Sequence, residues 1–457
     1  MKTSKAIFKL EFTLLSRKKN AILFLCLFVL SLYFVHYGIG THRTVVKNKA
    51  KFQYYEQEKI KKYQHYGQYG TYGMWILFDP SPLSILFINS STITELTADV
   101  DSGERLKLYN SFKGRTLFNE KAGGFNDFSG IMLLLGTLFA LYLGYEAFIH
   151  SDYLRFAAAF SSHKKLFISI FLTRMLGIIL FPIIIMGFSV LLLRLEGIHI
   201  NSNEFIHLAI FLLVQILVLI FFFTLGTIAG SFKSRFYGFS MLVITWFVLV
   251  FLLPMTINSI TYRKSVNIEA EYHLEQLKFE ILMGVEKKII SKTGLPNEKN
   301  MAIIGKLVVE YLEKEFKQLE SFEIELENEM KKNIYLYQSL AMLFPSTFYL
   351  SSGNEISSKG YENFIDFYSY IRELKPKFVH FIMMKRYFTS PAQLAGEKKR
   401  IQVESFIKND ENIFKSGSHL PSFFLYGIFA TVFYILGLIM VSYRRFKESL
   451  KLENSFK

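Results

Sequence analysis

Between residues 208 and 230 the chain reads LAIFLLVQILVLIFFFTLGTIAG, a run without a charged side chain. A bilayer core about 30 Å thick requires roughly 20 apolar residues in a helix, and five further segments meet this requirement. The six predicted spans are residues 21–40, 128–148, 175–193, 208–230, 239–260 and 422–442. Backbone groups in hydrocarbon must be hydrogen-bonded within their own segment, so these runs are predicted to be helices. The sequence therefore predicts an all-α, polytopic membrane protein with six transmembrane helices.

Composition supports this class. Of the 457 residues, 51% are hydrophobic and 17% are aromatic, which exceeds the usage of an ordinary soluble domain. The formal net charge is +15, but the basic residues gather at the ends of the apolar runs, so nucleic acid is not predicted as a partner. Cys26 is the only cysteine, so a disulfide within the chain is excluded, and it lies in an apolar run.

The distribution of lysine and arginine predicts the orientation. Basic residues are concentrated before residue 21, in 150–174, in 233–235 and in 443–457, whereas the short connection 194–207 carries only Arg194. Positive flanks stay in the cytoplasm, so both termini are predicted to be cytoplasmic. The long connections 41–127 and 261–421 are then extracytoplasmic, and the usage of Lys, Ile and Phe indicates a bacterial cytoplasmic (inner) membrane.

The segments outside the spans differ in their patterns. Residues 47–66 predict a helix leaving the membrane, followed by a Gly/Tyr turn at 66–73 and a proline-marked return at 79–82. Residues 261–333 have apolar positions at helical spacing and predict long helices, and 337–377 predicts a helix on the membrane or against other helices. Residues 1–20 mix apolar and basic side chains, which predicts an amphipathic elbow helix, the alternative being a disordered basic tail.

Catalytic and phosphate-binding motifs are not found in the sequence. It contains no G-x-x-x-x-G-K-[ST] phosphate loop, no H-E-x-x-H helix and no G-x-S-x-G elbow. The chain is therefore predicted not to be an enzyme and to hold neither a cofactor nor a metal ion. An ATP-driven activity would require a separate ATPase.

Several short motifs stand in order around the spans. They are GFNDF at 124–128, GYEAF at 144–148, Leu154-Arg155, SHKK at 162–165, Arg174, DPSPLS at 79–84, Trp246 with Pro254, and FPS at 344–346. This order resembles type-2 ATP-binding-cassette (ABC) transporter permeases, in a branch with large extracytoplasmic loops after spans one and five. The Gly-Thr pair that this family carries before Leu154-Arg155 is replaced near Tyr153. The resemblance extends over nearly the whole chain.

The resemblance implies the permease subunit of an ABC-type exporter, with an ABC ATPase subunit, a second permease subunit (homo- or heterodimer) and membrane lipid as partners. It also implies that residues 149–174 form a cytoplasmic coupling helix that contacts the ATPase. The candidate ATPase-coupling residues are Glu146, Tyr153, Arg155, Phe156, Phe160, Lys164, Lys165 and Arg174. Their basic members are equally explained by the positive-inside rule and anionic lipid.

Alternative interpretations remain for the polar residues in the spans and for the function. Glu146 is predicted to pair with Arg174 or to cap a helix, the alternative being a solvated carboxylate at the interface. Gln215, Thr224 and Thr227 either line a path or bond another helix. A structural or signalling membrane protein whose extracytoplasmic helices bind a partner is the second functional hypothesis, and a membrane-bound enzyme is the third.

Overall fold

The structure is a computed structural model. It describes residues 9, 11–13, 18–87, 96–102, 107–110, 127–149, 162–232, 234–257, 259, 268–295, 300–385, 403–407 and 412–451.

Long helices make up most of the described chain. In chain order they are α1 (Lys18–Lys62), α2 (Tyr66–Tyr72), α3 (Phe128–Ile149), α4 (His163–Leu195), α5 (Ser202–Gly230), α6 (Arg235–Ile257), α7 (Ile268–Thr293), α8 (Met301–Leu343), α9 (Pro345–Ile356), α10 (Tyr361–Met384) and α11 (Phe424–Lys451). Six of them, within the described residues, are long and apolar enough to cross a membrane: α1, α3, α4, α5, α6 and α11. The predicted all-α, multi-pass architecture is thereby confirmed.

Two span helices, α3 and α5, meet backbone to backbone. A Cβ atom added at Gly144 would lie 2.1 Å from the carbonyl oxygen of Phe223, and one at Gly226 would lie 2.2 Å from that of Leu141. Gly226 and Gly230 have the small-x-x-x-small spacing that lets membrane helices approach closely. Only glycine fits at these contacts, which hold α3 and α5 together as one packed pair.

At one end of the pair, α9 packs into the bundle. The ring of Phe211 in α5 contacts Phe87 at 4.8 Å and Tyr349 of α9 at 4.9 Å between centroids. The Tyr349 hydroxyl donates to the carbonyl oxygen of Ser129 at 3.1 Å. Pro345 begins α9 directly after α8 ends, because proline suits the first helical turn but not a helix interior. The segment 337–377, predicted as one helix, instead comprises the end of α8, α9 and most of α10, and its α9 part lies against other helices.

Two span helices contain a wider π turn. One lies at Met132–Gly136 in α3 and the other at Val248–Leu252 in α6. The second is followed by Pro254, which has no N–H to donate to the preceding turn, so the helix widens there. The indole of Trp246 in α6 donates to the Thr137 hydroxyl of α3 at 3.0 Å and joins these two spans.

A small sheet, which the sequence did not predict, stands beside α10. Its strands are β1 (Met74–Asp79), β2 (Leu96–Val100), β3 (Lys107–Asn110) and β4 (Ile413–Lys415), in the order β3-β2-β1-β4. The pair β1–β4 is parallel and the other two pairs are antiparallel. Gly73, at φ 60°, ends α2 and starts the turn into β1. The sheet packs through Ile76 and Phe78 on Phe367 and Phe378 of α10.

The two longest helices, α1 and α8, are each longer than a bilayer core is thick. The 45 residues of α1 and the 43 residues of α8 correspond to about 67 Å and about 64 Å at the rise of an α-helix, against a hydrocarbon core of about 30 Å. Helices α7 and α8 pack as a hairpin through Val285, Ile289 and Ile304. We call the end of the bundle near Ile257 and Phe424, from which this hairpin starts, the hairpin end, and the opposite end, near Ile149 and His163, the loop end.

Candidate functional site

The buried side chain of Arg174 is the centre of the candidate site at the loop end. Arg174 lies in α4 and is 1% exposed. Its Nε donates to Oε2 of Glu11 at 2.9 Å, and its Nη1 donates to Oε2 of Glu146 at 3.1 Å and to the carbonyl oxygen of Leu143 at 3.2 Å. The planar guanidinium holds its donors in fixed directions on separate nitrogens, a geometry that the single ammonium nitrogen of a lysine does not reproduce.

Three helices and the N-terminal segment meet at this arginine. Glu146 is in α3, and its Oε2 also accepts from the amide of Asn20 in α1 at 3.3 Å. The pairing of Glu146 with Arg174 was one of the sequence predictions, and the structure contains it. Removing one partner of a buried ion pair is expected to cost about 3–5 kcal/mol, because the remaining charge is left buried. The cluster therefore fixes α1, α3 and α4 relative to one another.

Glu11 was missed by the sequence reasoning. It lies in the segment predicted as an elbow helix, residues 11–13 are helical, and its side chain is 1% exposed. A signal was present in the sequence, because Glu11 is the only acidic residue before Glu56 in a strongly basic stretch. A carboxylate at such a position is unfavourable for binding an anionic membrane. Its ion pair with Arg174 explains why it is there.

Aromatic rings hold the two ends of the predicted coupling segment. Phe148, in the last turn of α3, stacks on Phe167 of α4 at 5.5 Å between centroids and contacts Phe446 of α11 at 5.1 Å. Phe167 also contacts Tyr443 of α11 at 5.4 Å. Each such pair contributes about 0.5–1.5 kcal/mol beyond its buried area. Residues 149 and 162 thus emerge from a rigid cluster of α3, α4 and α11.

The eight predicted coupling residues divide into three sets. Glu146 and Arg174 lie in the charged cluster, while Lys164 and Lys165 lie exposed in the first turn of α4. The hydroxyl of Ser162 accepts from the backbone N–H of Lys165 and caps the helix. Cations are unfavourable at a helix N-terminus, so helix stability does not explain these two lysines. The remaining four, Tyr153, Arg155, Phe156 and Phe160, lie outside the described residues.

Polar residues inside the spans were predicted either to line a path or to bond another helix. The Thr227 hydroxyl of α5 lies 2.8 Å from that of Ser442 in α11, and Thr224 donates to the carbonyl oxygen of Ile220 in its own helix. Thr227 therefore joins two helices. Gln215 is 2% exposed, and among the described residues its amide atoms have no hydrogen-bond partner. Within the part of the chain that the structure describes, no three His, Cys, Asp or Glu side chains lie close enough together to hold a metal ion.

No protein-family model, curated protein or solved structure matches the chain. Function is therefore inferred from the fold and from the geometry of the loop end.

Proposed function

We propose that the chain is the membrane-spanning permease subunit of an ABC-type exporter, driven by a separate ATPase subunit and working as a dimer with a second permease subunit. The observation that carries this proposal is the Arg174 cluster. It fixes the two spans that enclose residues 150–161, together with α1 and the N-terminal segment. A loop that transmits the work of an ATPase must be rigidly attached to the spans that it moves.

Charge favours the orientation with the loop end in the cytoplasm of a bacterial cell. Lys164, Lys165, Arg235, Arg444 and Arg445 all lie at this end, and positive flanks stay inside. Cysteine labelling tests the assignment in a Cys26→Ser background. A membrane-impermeant reagent added to intact cells should modify a cysteine at Ser321, which is exposed in α8, and spare one at Ser162. The opposite labelling pattern contradicts the orientation.

The coupling role is tested with the full chain expressed alone and together with candidate ABC-type ATPase subunits from the source organism. Alone, the purified chain should show no ATP turnover above background, and the complex should hydrolyse ATP. Arg174→Met should weaken ATPase association or turnover. Arg194→Met is the matched control, because Arg194 is exposed at the opposite end of the same helix.

Loss of function in Arg174→Met could also follow from unfolding, so a second variant is needed. Replacement of Phe156 and Phe160 by alanine leaves the charged cluster intact and should separate ATPase binding or hydrolysis from export. Chain expression and membrane insertion should stay at the wild-type level. A double variant that co-purifies with the ATPase and exports normally contradicts the coupling role of 149–174. ATP hydrolysis by the isolated chain contradicts the permease assignment itself.

The α7–α8 hairpin favours a second candidate function, in which the chain is a structural or signalling membrane protein that binds a partner. Near the hairpin tip, Leu295 is 74% exposed and Ile303 is 58% exposed. A photoreactive amino acid at Ile303 tests this function. A specific adduct in a strain that lacks the ATPase supports it, and a failure to form any adduct contradicts it.

A further inference from the structure

Two glutamates meet at the hairpin end, outside the spans. Glu355, in the last turn of α9, is 1% exposed. Its Oε1 accepts from Nε2 of Gln338 in α8 at 3.2 Å and from the backbone N–H of Glu362 at 3.4 Å. Its Oε2 accepts from Nδ2 of Asn363 at 3.4 Å. The carboxyl group thus receives donors from both α8 and α10.

The second carboxyl group shares one of these donors. Oε1 of Glu362 accepts from the same Nε2 of Gln338 at 3.1 Å and from the backbone N–H of Ser422, just before α11, at 2.7 Å. Both carboxyl groups therefore lie within 3.2 Å of one nitrogen. Two carboxylates that share one donor lie close enough to repel each other, which favours a proton on one of them. We call Glu355, Glu362 and Gln338 the acid joint, because they connect α8, α9 and α10 with the start of α11.

The surroundings exclude water from Glu355. A Cβ atom at Gly360 would lie 1.9 Å from Cδ of Glu355, so its carboxyl packs directly on the backbone. The rings of Tyr337 and Tyr361 contact each other at 4.8 Å beside it. Glu362 is only partly buried, which gives protons a way to the pair.

The charged and titratable groups around the pair come from each packed element. Burial raises the pKa of Tyr337 in α8 and raises that of Tyr361 in α10 to about 12, so both phenols are neutral. The ammonium of Lys359 donates to the carbonyl oxygens of Ser84 and Phe87. The backbone N–H of His419 donates to the backbone carbonyl oxygen of Glu355. Burial, followed by the charge of Glu362, raises the pKa of Glu355 to about 8, while the hydrogen bonds from α8 and α10 oppose this shift.

We propose that Glu355 and Glu362 form a proton-binding site, and that the bound proton holds the turn between α9 and α10 closed against the start of α11. Loss of the proton leaves two negative charges on one amide donor, and the turn opens. The contacts that form this site are separate from those of the loop end, and the site would exist whether or not the loop end couples to an ATPase. Because α9 packs on the spans and α10 packs on the sheet, the site lies between these two parts of the molecule.

Hydrogen exchange of the full-length protein tests the site, in wild type and in Glu355→Gln, at matched pH values from about pH 6 to about pH 9. The control is Glu373→Gln, since Glu373 is exposed on α10. Comparison at equal pH removes the intrinsic pH dependence of exchange. In the peptide covering 357–364, wild type should exchange about as fast as Glu355→Gln at the low end and about threefold faster at the high end. Glu373→Gln should follow wild type throughout.

Glu362→Gln gives a second readout that does not depend on the folding of Glu355→Gln. Removing the charge of Glu362 should move the midpoint of the exchange transition to lower pH, because that charge favours the proton on Glu355. A wild-type peptide without a pH transition beyond that of Glu373→Gln overturns the proposal. A midpoint that stays in place or rises in Glu362→Gln also overturns it.

Discussion

The contact between α3 and α5 predicts that alanine is not tolerated at Gly226. A Cβ atom there would lie 2.2 Å from the carbonyl oxygen of Leu141 and 3.0 Å from the backbone nitrogen of Tyr145. Both neighbours are backbone atoms, so relief requires the helices to separate by about 1 Å, which forfeits a quarter to a half of the dispersion energy of the facing atoms. Overpacking of this kind costs about 1–3 kcal/mol.

The control substitution is Gly187→Ala in α4, where an added Cβ would meet no atom within 4 Å. Alanine gains about 1 kcal/mol over glycine in a helix interior, and this gain applies to both variants. The two should therefore differ by about 2 kcal/mol in unfolding free energy. Thermal unfolding in detergent, followed through tryptophan fluorescence in a Trp75→Phe background that leaves Trp246 as the single tryptophan, should show a lower Tm for Gly226→Ala and an unchanged or higher Tm for Gly187→Ala. Equal Tm values would refute the close approach of α3 and α5.

Three further outcomes follow from single contacts. The free energy of unfolding should fall as pH rises from about 4.5, the ordinary pKa of a glutamate, to about 8 and then level off, because the folded state keeps Glu355 protonated up to a higher pH than the unfolded state does. The difference in Tm between wild type and Glu355→Gln, measured across this pH range, tests the expectation. A difference that does not change with pH contradicts it. Thr227→Val should lower the free energy of unfolding by about 0.6 kcal/mol, because the hydrogen bond to Ser442 is lost. If Thr227→Val lowers stability equally in a Ser442→Ala background, where this bond is already absent, the bond does not contribute. Glutamine at Lys164 and Lys165 should weaken ATPase binding mainly at low salt, and an equal effect at high salt would indicate a direct buried contact instead.

Sequence reasoning could predict the spans because their signal is local. Each apolar run lies within one segment, and every span helix contains its predicted run except at the last residues of 239–260 and the first of 422–442. The sheet has no such signal: β4 is three residues long and pairs in parallel with β1, more than three hundred residues earlier in the chain. A pairing of that separation depends on the packing of α10, which no local pattern encodes.

The candidate site was predictable in part for the same reason. Glu146 and Arg174 flank one short connection, so their pairing could be expected from the chain itself. Whether Glu11 reaches Arg174 depends on how the N-terminal segment packs onto α4. Whether Gln338 contacts Glu362 depends on how α8, α9 and α10 pack together. The charge of Glu11 marked it as unusual within a basic segment, but its partner became evident only from the fold.

The helix α5 connects both ends of the bundle, and this predicts a measurable link between them. It is bonded to α11 through Thr227 towards the loop end and packed on α9 through Phe211 at the hairpin end. Because the α3–α5 contact leaves no free space, a shift of α3 at the loop end would move α5 with it and reach α9 and the acid joint as a rigid-body motion. Linkage then requires reciprocity: if ATPase binding shifts the proton affinity of the acid joint, pH must shift ATPase affinity by the same factor. Titration of the wild-type chain with the proposed ATPase subunit at about pH 6 and about pH 9 should give different Kd values, and Glu355→Gln should abolish that difference. Equal Kd values in the wild type would show that the two ends of the bundle act independently.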